Sequence, residues 1–446
     1  MQKIFLPLNL AAVLLCPTFA YAQNEAQNPG RISTQTSMQN TETMRPVSDT
    51  LTIKTAIATA MTKNADIAAA RREIDATDGA LRQAGIIPNP ELSTLFEDAR
   101  QESRSTTIQI NQAIELGGKR SARITASERS RDAARNELAI KQAEIRAQVT
   151  AYFYDALIAQ ERQRIALASL ELARRASTAV SKQVTLGKVP PLEETKARIA
   201  ESSIRVELAQ ASGELILSRK RLGAMWGANL SDALVLLGDF SGELSGLPQL
   251  PSMPNLLKGM EQAPLMLRAK MEVSKRLALA DLERARQIPD LTLSLGSKRD
   301  QSTGPQAGRN QAIVGLSIPL ALFDRNQGNL QEARSRVDKA RDELSATEIR
   351  LQSELLQAHQ RLSLARDETQ LLQKDLLPGA QQAFDTALKG FEYGKFNFLD
   401  VLDAQRSLLQ AKAQYLRSLS EVHRAASDIE RLLGDSEFNL YTTTSS

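Results

Sequence analysis

The chain has 446 residues, 42% hydrophobic and only 4% aromatic, with 56 Lys+Arg against 52 Asp+Glu. A formal charge of +4 at this length is near balance and gives no case for nucleic-acid binding. A single cysteine, Cys16, excludes an internal disulfide and a thiolate metal centre.

The N-terminus reads as an export signal. Lys3 precedes a largely apolar run from Ile4 to Leu15, and Ala20-Tyr21-Ala22 supplies a small-x-small cleavage site. The run is too short to span a bilayer as a stable helix. Residues 1–22 are expected to be removed after Ala22, which takes the charge to +3 because Lys3 is the one charge lost. Lipidation at Cys16 is the alternative, but Leu15 stands where a small residue is expected. Residues 23–50 are rich in Gln, Asn, Thr and Ser. They bury too little apolar surface to offset their ordering entropy and read as a disordered lead-in.

Beyond that point Ala, Leu, Gln, Glu, Arg and Lys dominate, a long-helix composition. No apolar stretch of 18 residues follows the signal, so no transmembrane helix is expected. If such an exported chain crosses a membrane, it does so through strands.

A first helix leads to a strand pair. Glu91–Ala99 carries Leu92 and Phe96 on its apolar face. Thr107–Ile114 sets Ile108, Ile110 and Ile114 against Thr107, Gln109 and Asn111, with Gln112 interrupting the apolar side. The loop between them, 97–106, is polar. From Lys119 to Leu186 there is neither proline nor glycine. At ~1.5 Å per residue this predicts a rod of roughly 100 Å. The turn Leu186-Gly187-Lys188-Val189 then leads into a helix over Pro191–Leu222.

The second half runs likewise. Pro289–Gly296 places Leu291, Leu293 and Leu295 on one face and Thr292 and Ser294 on the other. Ala312–Leu320 aligns Val314, Leu316, Ile318 and Leu320 beyond the polar loop 297–311. From Asp324 to Leu376, Leu330, Val337, Leu344, Leu351, Ala358, Ala365 and Leu372 recur at seven-residue intervals, a helix-on-helix seam. The last helix, Phe398–Leu433, repeats the spacing with Leu402, Leu409 and Leu416. Charges between the seams, such as Glu128, Arg129, Arg131 and Asp132, or Arg334, Asp338, Lys339 and Arg341, read as solvated faces.

The halves are copies. Pro90-Glu91-Leu92-Ser93 lies on Pro289-Asp290-Leu291-Thr292, and Leu186-Gly187-Lys188-Val189 on Tyr393-Gly394-Lys395-Phe396. This predicts one repeat over 51–247 with its hairpin at 90–117, a second over 248–436 with its hairpin at 289–323, and a tail at 437–446. Period-two strands with one oily and one small polar face fit a membrane barrel, and a half-buried sheet on a soluble domain is the alternative. Four strands do not close a barrel, so a membrane reading requires an oligomer that pools hairpins. Three protomers would give twelve strands.

Export signal, duplicated halves, a strand pair per half and long helical hairpins together resemble the TolC-like outer-membrane efflux proteins. The resemblance covers about residues 51 to 436. Its sharpest match is Phe391-Glu392-Tyr393-Gly394-Lys395-Phe396-Asn397-Phe398-Leu399-Asp400-Val401-Leu402-Asp403-Ala404, against a family pattern Y-x-x-G-x-x-x-x-L-D-V-L-x-A, with Phe391 departing from its tyrosine. Gln112-Ala113-Ile114-Glu115-Leu116-Gly117-Gly118-Lys119-Arg120 is similar to the CzcC-like branch, whose members serve heavy-metal pumps of the resistance-nodulation-division (RND) type.

The resemblance implies a mainly α protein with a membrane β-hairpin pair. It would form a homotrimer with a twelve-stranded barrel in outer-membrane lipid and a long α-helical barrel in the periplasm of a Gram-negative bacterium. Gly187, Lys188, Val189, Gly394, Lys395 and Phe396 would dock a periplasmic membrane-fusion adaptor, and an inner-membrane RND pump would drive the cargo. Asp400 and Asp403, three apart on one helix face, would ring the periplasmic gate, with Glu193 and Glu194 matching them in the first half. Helix-dipole capping is the plain alternative for these acids. Gly117 and Gly118 would make the strand-to-helix bend.

No catalytic set, P-loop or dinucleotide fingerprint is present, so neither an enzyme nor a cofactor is expected. His359 and His423 have no second ligand at metal spacing, and Met266 and Met271, five apart, share no face. A duct for drugs or exported proteins, or a secreted coiled-coil scaffold without a pore, remain the competing readings.

Overall fold

The computed structural model describes residues 50–97, 104–228, 230, 235–236, 247–300 and 308–434. The expected signal, the tail, residues 23–49 of the lead-in, and residues 98–103 and 301–307 of the two hairpin loops lie outside the described residues.

The chain opens with β1 (Thr50–Leu51), α1 (Ile53–Lys63) and α2 (Ala65–Ala84). Thr52 and Thr55 form a reciprocal capping box on α1. Asn64 caps α2, its Oδ1 accepting from the Asp66 and Ile67 amides. A hairpin follows, β2 (Glu91–Glu97) and β3 (Ser105–Ile114), then α3 (Lys119–Thr185) and α4 (Pro191–Ala224). At 67 residues α3 is a rod of ~100 Å. After β4 (Val235–Leu236) the order recurs: α5 (Met253–Met260), α6 (Pro264–Ala285), β5 (Leu291–Asp300), β6 (Asn310–Ser317), α7 (Gln327–Leu371), α8 (Leu377–Glu392) and α9 (Phe398–Leu433).

The two hairpins join in one antiparallel sheet of order β2-β3-β5-β6. Beneath it the helices keep that order, α2 on α3, α3 on α6, α6 on α7. Nearer the tips α4 packs on α3 and α8 on α9, while α9 also packs on α3 and α7. Each half has its own core between these ends. Ile67, Val149, Phe153, Leu157 and Leu222 fill the first, and Leu256, Leu351, Leu355, Leu362, Val422 and Ile429 the second. Each such buried side chain contributes about 1.5–3 kcal/mol relative to exposure.

The expected seam on α7 is present: Leu330, Val337, Leu351, Ala358, Ala365 and Leu372 are buried and Leu344 half-buried. Three expectations are corrected. The helix expected over Asp324–Leu376 starts at Gln327 and runs on past Leu376. Pro378 has no N–H for the usual ladder, and a π-helical turn at Leu372–Leu376, with Leu377 N bonding Leu372 O, carries the rod on to Glu392. On α9 Leu416 is buried as expected, but Leu402 and Leu409 are only half-buried, and the buried line runs instead through Val401, Leu408, Leu416, Val422 and Ile429. Thr50, assigned to the lead-in, is instead the start of β1, paired in parallel with β4. The Gln160 amide holds both Leu236 N and Leu236 O at 3.1 Å, standing in for a third strand.

Candidate functional site

The sheet separates two chemistries by residue parity. Register places Leu92, Ile110, Leu295 and Val314 in one row across all four strands. These side chains point to solvent in the single chain, with Leu92 72%, Val314 75% and Leu316 66% exposed. The opposite face is polar and internally bonded. Asn111 donates to Ser93 Oγ at 3.1 Å, Ser105 to Glu97 at 2.7 Å, and Lys298 to Glu97 at 2.7 Å. Leu95 and Ile313 are the apolar exceptions by parity. β2 and β6 each end the sheet with an unpaired edge. An apolar outer face with open edges is unstable in water and in lipid alike.

The strand-to-helix bends lie at one end of this sheet. Gly117 and Gly118 take φ +69° and +72°, and Gly118 caps α3. Asn326, at φ 58°, caps α7 in the matching place, as the residue best tolerated there after glycine. Lys119 Nζ reaches Asp290 Oδ1 at 2.7 Å, and the same oxygen accepts the Leu116 amide at 3.2 Å. Arg123 grips both oxygens of Glu115 at 2.5 and 3.1 Å and donates to the carbonyls of Ala84 and Ile86. The LGGKR segment thus ties α2, β3 and the second hairpin into one joint. Sequence reasoning found the glycines but missed Asp290, Glu115 and Arg123.

Both tips have one geometry. Lys188 N bonds Gln183 O at 2.9 Å with Gly187 at φ +69°, and Lys395 N bonds Gly390 O at 2.7 Å with Gly394 at φ +68°. These are six-to-one bonds closing a left-handed C-cap. Gly187, Lys188, Gly394, Lys395 and Phe396 are exposed, and Val189 is half-buried. The Phe396 ring lies where a Cβ on Gly390 would stand, only 2.0 Å away. Phe391 packs into the clusters of both hairpins, touching the groups around Val180 and around Leu408. The departure from tyrosine at that position therefore fills an apolar seam.

The four acids are not equivalent. Glu193 pairs with Lys196 at 2.9 Å, and Glu194 with Arg198 at 2.6 Å while accepting from Ser181 at 3.0 Å. Asp400 accepts the Asn397 amide at 2.9 Å in a capping box, so capping is part of its role. Asp403 is exposed on the next turn.

The histidines have structural roles in this geometry. His359 Nε2 lies 3.1 Å from Pro251 O. His423 is buried, its ring stacked on Tyr154 at 3.7 Å between centroids. Met266 lies in the second core. Among the described residues no group of three or more His, Cys, Asp or Glu could hold a metal ion.

Burial pushes His423 from 6.5 down to about 3 and Glu430 from 4.5 up to about 7, the latter opposed by Arg146. Between about 3 and 6.5 the unfolded chain binds a proton at His423 that the folded chain does not, so stability falls as pH drops through that window. Glu430 acts oppositely: its contribution is full below 4.5 and is lost as pH rises through about 7. In a Glu430→Gln background, the melting temperature should fall as pH is lowered from about 6.5 to about 4. His423→Phe, which keeps a ring on Tyr154, should flatten that slope; an unchanged slope would place the acid sensitivity elsewhere.

The chain is thus a duplicated helical rod topped by strand hairpins with an exposed apolar face. The family model "Outer membrane efflux protein" matches residues 56–228 and 258–435, one segment per half. The chain belongs to the outer membrane efflux protein family. It is 46% identical over 434 residues to the cobalt-zinc-cadmium resistance protein CzcC of Cupriavidus metallidurans, covering 97% of this chain and 100% of that one. It is 29% identical to the nickel-cobalt-cadmium resistance protein NccC of Alcaligenes xylosoxydans xylosoxydans, over 58% of this chain and 59% of that one. Among solved structures it resembles CusC with a TM-score of 0.71 at 20% identity, covering 86% of this chain and 92% of that one. No helix among the described residues is long and apolar enough to cross a membrane.

Proposed function

We propose that three copies pool their sheets into a twelve-stranded barrel in the outer membrane, continued into the periplasm by a barrel of helices. The observation that carries this is the four-stranded sheet with an exposed apolar face and an open edge on each side. In lipid such edges must pair, β6 of one copy with β2 of the next. Ile199 and Val206 on α4, and Ile349 and Leu356 on α7, are exposed apolar residues at seven-residue spacing that suit burial between the same copies.

The tips, with Gly187, Lys188, Gly394, Lys395 and Phe396 exposed and Val189 half-buried beside them, dock the periplasmic adaptor, and an inner-membrane RND pump supplies the energy. Asp403, with Asp400 beneath it, forms acidic rings at the mouth that attract cations and repel anions. The bases already paired with Glu193 and Glu194 favour the second hairpin as the selective one.

The cargo is a heavy-metal cation, a reading supported by 46% identity to CzcC along nearly the whole chain. A host strain lacking this chain should lose tolerance to cobalt, zinc or cadmium and regain it with the wild-type chain. Unchanged metal tolerance with new sensitivity to drugs would move the cargo to the drug class.

A further inference from the structure

The surface where the sheet meets the helices lies away from the mouth and carries its own pattern. All four strands terminate there, with Glu91 opposite Asn111, Ile114 opposite Leu291 and Thr292 opposite Ser317. Exposed apolar side chains also follow the last ladder bonds. Leu116 comes two residues after the end of β3 at Ile114, and Ile318, Leu320 and Leu322 follow the end of β6 at Ser317. These residues are exposed, and Phe323 beside them is 91% exposed.

An exposed arginine follows each of these apolar runs. Arg120 comes four residues after Leu116, and Arg325 two after Phe323. Each commits its Nε to a backbone carbonyl, Arg120 to Gly85 O at 2.8 Å and Arg325 to Ala321 O at 3.2 Å. That anchors the guanidinium and leaves its two Nη groups for an acceptor with paired oxygens. The neighbouring acids are engaged: Asp290 holds Lys119, Glu115 holds Arg123, and Asp324 Oδ1 accepts the Asn326 amide. An apolar belt bordered by anchored arginines matches the boundary between acyl chains and headgroups.

We infer that Arg120 and Arg325 bind headgroup phosphates of anionic phospholipids in the periplasmic leaflet and so set the depth of the sheet. The inference rests on the reading that the sheet spans the outer membrane. The adjoining exposed apolar side chains and charge complementarity favour lipid over a neighbouring copy, whose contact runs along the strand edges.

The test titrates the purified mature protein in detergent with dioleoylphosphatidylglycerol and counts bound lipid by native mass spectrometry. Dioleoylglycerol supplies the same tails without phosphate, and inorganic phosphate supplies the anion without tails. The wild type should retain phosphatidylglycerol in preference to dioleoylglycerol, and millimolar inorganic phosphate should not displace it. Arg120→Gln/Arg325→Gln should weaken retention by about tenfold or more, since two near-surface cations are lost. Arg120→Lys/Arg325→Lys should keep most of it. Equal retention of both lipids by the wild type, or undiminished retention by the glutamine variant, would overturn the inference; displacement by inorganic phosphate would reassign the site to a free anion. If the glutamine variant fails to fold, the two-lipid comparison on the wild type and the lysine variant still decide. Failure of the wild type to insert into vesicles would instead refute the membrane reading itself.

Discussion

Gly117→Val should abolish assembled protein in the outer membrane. A Cβ at this position would sit 2.8 Å from Ile288 Cβ and Cδ1 and 3.1 Å from Ala285 O, on a backbone at φ +69°. Left-handed backbone costs about 1–2 kcal/mol for an ordinary residue, and more for a β-branched one. Overpacking adds about 1–3 kcal/mol. Together they take a large share of a native stability of about 5–15 kcal/mol. Gly118→Ala is the matched control. Its φ is +72°, but the nearest atom to a new Cβ is Ser121 Oγ at 3.3 Å, the end of a small side chain. It should cost about 1 kcal/mol and leave assembly largely intact. Heat-resistant oligomer on a gel, quantified beside total protein, reads both. Normal assembly of Gly117→Val would mean the bend is not fixed as described.

Arg123→Met should be the most damaging substitution of a single charge. It strands Glu115, whose side chain is only 12% exposed, and removes the donors to Ala84 O and Ile86 O. Breaking one partner of such a pair costs about 3 kcal/mol, most of it the penalty on the carboxylate left behind. Arg123→Met/Glu115→Gln should therefore recover part of the loss, and Arg123→Lys should restore less than a conservative change suggests, because the two-pronged grip is lost. Arg175→Met is the comparison: its bond to Glu171 is 3.1 Å long between two exposed side chains, and such pairs are worth about 0.5 kcal/mol or less. Melting midpoints of the purified proteins separate the two cases. Equal midpoints for Arg123→Met and Arg175→Met would remove the joint from the account.

Much of this architecture was legible because it follows local periodicity. Seven-residue spacing along α7, alternation in β3 and β6, and paired glycine turns each report on neighbours a few residues away. What was not legible depends on distant partners. Asp290 lies 171 residues from Lys119, and no spacing rule links them. On α9 Leu416 is buried as expected, but the first two seam positions lie one residue earlier, because Val401 and Leu402, and Leu408 and Leu409, are both apolar; packing against α3, α7 and α8 makes the choice. The rod's passage beyond Leu376 was not legible either, since it depends on the π-helical turn before Pro378 that absorbs the missing donor. Among the acids, the i,i+3 and i,i+4 bases Lys196 and Arg198 were visible in the first half, but their pairing with Glu193 and Glu194 needs side-chain geometry.

The channel reading is tested most directly by conductance. Purified wild type would be reconstituted in a planar bilayer beside Asp400→Asn/Asp403→Asn, the asparagine at 400 retaining an oxygen for the Asn397 amide. If the channel reading holds, the wild type passes small, cation-selective currents, and the variant passes larger currents with weakened selectivity. Folded, detergent-stable protein that passes no current in either form would contradict it.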